Sequence, residues 1–136
     1  MSSQGLTAEN VVRSYLNCLA TGDVAGILAL HTDDSVIDMP GTPALPWAGR
    51  WVGIEKIREY FQVMPSVMEI RSHTQRLWVV DGNKVAVTGN EVAACRKTGK
   101  EYTAKWCWVF EIRDGKIAVW DAYEDTEAMF NCGPWR

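Results

Sequence analysis

The order of apolar and polar residues divides the chain by period. In the first third, Val11, Val12, Tyr15, Leu16 and Leu19 recur at helical spacing and define one buried stripe. Thr7 stands where a side-chain cap belongs, and Gly22 where a helix-ending glycine does. Asp23 opens a shorter helix with Ile27, Leu28 and Leu30 facing in, and His31 is expected to end it. Residues 35–39 read as a brief strand closed by Pro40-Gly41. Residues 40–53 hold three prolines, three glycines and two tryptophans, and predict a long loop of the kind that often serves function. Ile54, Ile57, Tyr60, Phe61 and Met64 mark one side of a third helix, which Pro65 is expected to break.

From residue 67 onward the period changes to two. Asp81-Gly82-Asn83, Thr98-Gly99 and Asp114-Gly115 punctuate runs rich in Val, Ile, Tyr and Trp, as consecutive antiparallel hairpins require. Residues 100–112 alternate most clearly. Tyr102, Ala104, Trp106, Trp108, Phe110 and Ile112 hold the even positions, while Glu101, Thr103, Lys105, Cys107, Val109 and Glu111 hold the odd ones. The even face is therefore the one predicted to pack inward. Three helices followed by a meander of strands give an α+β fold. The expected shape is a cone: a strongly curved antiparallel sheet with the three N-terminal helices enclosing an apolar pocket.

Composition narrows the picture. A chain of 136 residues fits one domain, 1–136, large enough to bury about two-thirds of its unfolded surface. Net charge is −3 with no cluster of Lys and Arg, so neither nucleic acid nor a membrane surface is an expected partner. No apolar run approaches the ~20 residues of a membrane-spanning helix. The first seven residues carry neither a basic nor an apolar leader region. Four cysteines without a CxxC pair or metal-ligand spacing read as reduced thiols of a cytoplasmic protein. Seven tryptophans require a large apolar space to line, whether core or pocket.

Nucleotide-cradling GxxxxGK[ST] and GxGxxG, the zinc motif HExxH and the nucleophile elbow GxSxG are all missing. His31 and His73 are far apart; the first reads as a structural residue and the second as a surface or half-buried one. No metal and no organic cofactor is expected. Carboxylates in apolar company remain. Asp38 lies between Ile37 and Met39, where burial would raise its pKa toward a proton-transferring range. It could equally cap the Pro40-Gly41 turn. Glu91 shares a strand face with Val85, Val87, Gly89, Ala93 and Cys95, a face that is either pocket wall or solvent side. Glu124 is more ambiguous still. Tyr15 is either core or a donor into a cavity.

Asn10-Val-Val-Arg-Ser-Tyr-Leu and Thr21-Gly-Asp-Val-Ala-Gly-Ile-Leu-Ala-Leu-His-Thr-Asp-Asp-Ser-Val-Ile-Asp-Met-Pro-Gly resemble the opening of bacterial ketosteroid isomerases. Thr98-Gly-Lys-Glu-Tyr and Asp114-Gly-Lys-Ile-Ala-Val-Trp-Asp-Ala-Tyr-Glu-Asp are closer to SnoaL-like polyketide cyclases and limonene-1,2-epoxide hydrolase. All belong to the nuclear-transport-factor-2-like superfamily, and the resemblance spans a core of about residues 7–130. It implies Asp38 as the proton-shuttling base and Tyr15 as donor to an enolate oxygen, with Trp108 where the isomerases carry their second donor. Against the hydrolases' Asp-Arg-Asp arrangement it sets Glu91, Gly89 and Ala122, so two of the three groups are replaced.

The expected protein is a cofactor-independent isomerase- or cyclase-type enzyme acting on an apolar, cyclic carbonyl compound. Asp38, Tyr15, Glu91 and Trp108 would be catalytic, and Trp106, Phe110, Trp120, Phe61, Trp47, Trp51 and Glu124 would contact substrate. The alternatives are an epoxide hydrolase or epoxide-opening cyclase using Asp38 and Glu91, and an apolar ligand-binding module without turnover. Cys107 and Val109 on the outer sheet face, together with the resemblance, suggest a homodimer.

Overall fold

Thr7 caps the first helix as its position predicts: its Oγ1 accepts the Asn10 N–H at 3.2 Å. This computed structural model describes residues 7–136; residues 1–6, part of the segment read as carrying no leader, lie outside the described residues. Helix α1 (Ala8–Thr21) buries Val11, Val12, Tyr15 and Leu16, the stripe that helical spacing selects. Asp23 caps α2 (Val24–Ala29) by accepting from Gly26 N–H at 2.9 Å.

Strand β1 (His31–Met39) begins earlier than expected. His31 does not end a helix; it is the first residue of the strand, and the Ile117 N–H bonds to the carbonyl of Leu30 just before it, at 2.7 Å. The proline- and glycine-rich segment contains a short edge strand, β2 (Gly49–Val52), paired antiparallel to β1. Helix α3 (Ile54–Val67) buries Ile57, Tyr60 and Phe61 and runs through Pro65 instead of breaking there. A proline near the end of a helix forfeits one hydrogen bond in a turn that is about to finish anyway.

The strands β3 (Met68–Asp81), β4 (Lys84–Cys95), β5 (Glu101–Arg113) and β6 (Lys116–Glu124) form the expected meander. Asp114 and Gly115 join β5 to β6 with φ of 55° and 73°, the paired positive values of a type I′ turn. Helix α4 (Thr126–Phe130), capped by Asp125, follows β6 and is too short to show a period in the sequence.

The six strands run in the order β2-β1-β6-β5-β4-β3, with β1 parallel to β6 and every other pair antiparallel. The sheet is curved and unclosed, and the helices lie against its inner face. All six even positions of β5, Tyr102 to Ile112, are buried, as the alternation predicts. The outer face carries a cross-strand row of Leu77, Thr88, Cys107 and Tyr123 beside a second row of Val79, Ala86, Val109 and Asp121.

Candidate active site

Between the helices and the inner sheet face lies a cavity of about 500 Å³. Leu16 and Leu19 of α1, Ile27 of α2 and Phe61 and Met64 of α3 line its helical side. Trp108 of β5 and Trp120 of β6 form its sheet side, with Trp47 and Met129 at the end. Two carboxylates enter this apolar space: Glu91 from β4 and Glu124 from the end of β6.

Each carboxylate is held by one donor. Glu91 is only 5% exposed. Its Oε2 accepts from the Tyr102 hydroxyl at 2.6 Å, and that hydroxyl also lies 3.4 Å from Met68 Sδ. Burial raises the Glu91 pKa, with the tyrosine bond working against the shift. Glu124 Oε2 accepts from the Trp108 indole N–H at 2.8 Å. Its pKa is pushed up to about 7, chiefly by burial and then by the negative charge of Glu91, with the indole bond working against both. A carboxyl that gains and loses its proton near neutrality is equipped for general acid–base work.

An aromatic wall backs the pair. Trp106 stacks on Trp108 with centroids 4.1 Å apart, and the His73 ring stacks on both, at 4.6 and 4.9 Å. His73 is exposed at the cavity mouth, yet the indoles crowd its ring and lower its pKa to about 4. Gly89, opposite Trp106 in register, makes this wall flat. A Cβ there would lie 2.1 Å from the Thr74 carbonyl oxygen and 2.2 Å from the Trp106 ring, so no larger residue fits.

Several sequence-predicted residues are placed elsewhere. Ile37 and Met39 point inward and are buried, so the alternation of β1 turns Asp38 to the outer face. There it pairs with Arg50 at 3.8 Å, both side chains largely exposed, and supplies no base to the cavity. Tyr15 is buried but spends its hydroxyl on His31 Nε2 at 2.7 Å, while His31 Nδ1 meets Ser35 Oγ at 3.0 Å. Burial lowers the His31 pKa to about 4 and keeps the ring neutral, so this Tyr15–His31–Ser35 chain is a closed core network, not a donor into the cavity. Trp108 borders the cavity, and its N–H is donated to Glu124 Oε2.

Among the expected contact residues, Trp47, Phe61, Trp120 and Glu124 line the cavity. Trp47 is a buried wall residue packed edge-to-face on Trp135 at 4.6 Å. Trp51 bonds through its N–H to the Trp47 carbonyl at 3.0 Å and packs on Tyr60. Phe110 is sealed behind Tyr15 and Trp120, and Trp106 lies behind Trp108 and His73. Tyr102 and Tyr60 escaped the sequence reading of the site. The alternation of β5 and the stripe of α3 already turned both inward, but nothing in the pattern tied them to the carboxylates.

Among the described residues, no three His, Cys, Asp or Glu side chains gather as a metal-holding cluster, and no helix is long and apolar enough to cross a membrane. The four cysteines are unbridged.

An open, curved six-stranded sheet with N-terminal helices over a cavity is the cone of the nuclear-transport-factor-2-like fold. Residues 12–120 match the SnoaL-like domain, and the chain belongs to that family. A nuclear-transport-factor-2-like protein from Burkholderia xenovorans superposes with a TM-score of 0.85 at 24% identity, covering 97% of this chain and 98% of its own. A candidate polyketide cyclase from Pseudomonas putida gives 0.74 at 19% identity, covering 93% and 97%. An epoxide hydrolase from M. tuberculosis, of the limonene-epoxide-hydrolase-like type, gives 0.72 at 23%, covering 91% and 86%. No curated protein sequence matches the chain.

Proposed function

We propose that this protein is a cofactor-independent acid–base enzyme of the isomerase or cyclase type, acting on an apolar cyclic carbonyl compound. One observation carries the reading: two carboxylates share an aromatic cavity, and one of them has its pKa brought to about 7. Ionised Glu124 takes a proton from the carbon next to the carbonyl, the C–H electron pair moves into an enolate, and the resulting carboxylic acid returns the proton to a carbon of that enolate. Trp108 fixes the carboxylate that moves the proton. Glu91, anchored by Tyr102, raises the proton affinity of Glu124 and keeps the transfer reversible. One positioned base of this kind contributes about 10²- to 10⁴-fold.

The test compares wild type with Glu124→Gln on unsaturated cyclic ketones, β-dicarbonyls and terpene epoxides in deuterated water, read by mass spectrometry. Deuterium next to a carbonyl with wild type alone supports the proposal. Oxygen added to an epoxide would replace it with a hydrolase using the same carboxylate pair. Tight binding without exchange would leave a ligand-binding module.

We propose a homodimer joined through the outer sheet face, supported by the exposed apolar side chains of Leu77, Val79 and Tyr123 across it. Four unbridged thiols support a reducing, cytoplasmic location.

A further inference from the structure

Helix α3 brings one more polar group to the cavity. Tyr60 is only 3% exposed, and its ring is held edge-to-face by Phe61 at 4.9 Å, Trp51 at 5.6 Å and Trp120 at 6.2 Å. These three neighbours fix the direction of its hydroxyl. That hydroxyl bonds to no group among the described residues, and it is not sealed away as the Trp106 and Trp120 N–H groups are. Leaving a buried donor unused is costly unless something else takes the bond.

The surroundings say what that something is. The charges that act on Tyr60 are those of the two carboxylates, and each already accepts from another donor at one oxygen, Tyr102 or Trp108. Burial and the charges of Glu124 and Glu91 together hold the Tyr60 proton in place well above the ordinary range of a phenol. Tyr60 is therefore an O–H donor at every working pH, placed on the cavity wall with no side chain taking its hydrogen.

We propose that Tyr60 donates its hydroxyl hydrogen to an oxygen of the bound molecule, so that the cavity selects cyclic compounds carrying a carbonyl-type oxygen on the α3 side. The inference rests on the carboxylate reading above and adds the group that receives the developing negative charge. When Glu124 removes the proton, the electron pair of the C–H bond moves into the enolate and its charge collects on the oxygen facing Tyr60. A hydrogen bond fixed in advance toward that oxygen strengthens as the charge grows. Phenol and oxygen lie in a site lined by apolar rings, where water competes poorly for the bond.

The probes are 1-tetralone and tetralin, which share a bicyclic frame and differ in the ketone oxygen. Wild type is expected to prefer tetralone by about fivefold or more, the worth of one neutral hydrogen bond, and Tyr60→Phe should erase that preference while leaving tetralin affinity unchanged. The carbonyl stretch of 13C-labelled tetralone should shift to lower frequency in wild type and return toward its value in hexane in Tyr60→Phe. Deuterium exchange next to the carbonyl should fall at least tenfold in kcat with little change in KM.

An unchanged tetralone-to-tetralin ratio in Tyr60→Phe would overturn the inference. So would a preference that disappears in Glu124→Gln but survives in Tyr60→Phe, since the donor would then be the protonated carboxyl. Should Tyr60→Phe fail to fold, the wild-type spectrum decides alone, because a hexane-like frequency means no donor reaches the ketone. A Tyr60-dependent carbonyl shift without any deuterium exchange would keep the donor and discard the acid–base reading.

Discussion

At the scale of single residues, His31 and Glu124 pull stability in opposite directions with pH. The folded state withholds a proton from His31 until about pH 4, whereas an ordinary histidine binds one below 6.5. Stability is therefore lost as pH falls through that interval. Glu124 keeps its proton up to about 7 in place of 4.5, so its contribution is lost as pH rises from 4.5 to about 7. Glu91 acts in the same sense. Between pH 4.5 and 6.5 the opposing slopes offset one another. In Glu124→Gln, urea unfolding should show the stability difference between pH 6.5 and pH 4.5 growing by about 2–3 kcal/mol in favour of the higher pH. With Glu124 as base, kcat should rise through about pH 7 in wild type, and the glutamine variant should lose that inflection. Tyr15→Phe, which breaks only the core network, should cost about 1–2 kcal/mol in thermal unfolding and leave turnover intact. The sequence shows Glu91 and Glu124 as strand carboxylates but not which way they face, because small neighbours such as Gly89 and Ala93 suit a wall and a solvent face equally. Asp38 failed for a related reason: in a strand, one position along the chain is the difference between inside and outside, and Met39 holds the inward place.

At the scale of elements, regular patterns were legible and interrupted ones were not. The stripes of α1 and α3 and the alternation of β5 emerge directly, since each buries one face over many residues. Strand β2 is too short to show a period and is masked by Pro46, Gly49 and Gly53 around it. The start of β1 is hidden because Asp33 and Asp34 look like a helix-ending turn, whereas the strand there is exposed and held by its neighbours. A property of the sheet that no single strand reveals is the close contact of β3 with β4 at Gly89. Gly89→Ala should lower stability by about 3 kcal/mol on thermal melting, because the backbone oxygen of Thr74 has nowhere to move without opening the pair. Shrinking Trp106 in the same protein should rescue only part of that loss.

At the scale of the whole molecule, the cone was legible from the order of elements and from the resemblance, while the position of the reacting groups was not. Position depends on how far the sheet curls, and that is set by packing among side chains distant in sequence. The outer face gives a measurable expectation. Leu77→Asp with Val109→Asp, which adds one charge to each of the two outer rows, should convert the proposed dimer to a monomer by sedimentation equilibrium while leaving the cavity able to bind. Strand β1 pairs in parallel with β6, so it joins the meander only through residues 117–121. The β3–β6 meander closes from neighbours in the chain, but β1 waits for partners more than eighty positions away. On a ribosome, β1 emerges well before the strand that seats it, and a nascent chain halted before Lys116 should leave Tyr15 and His31 open to solvent.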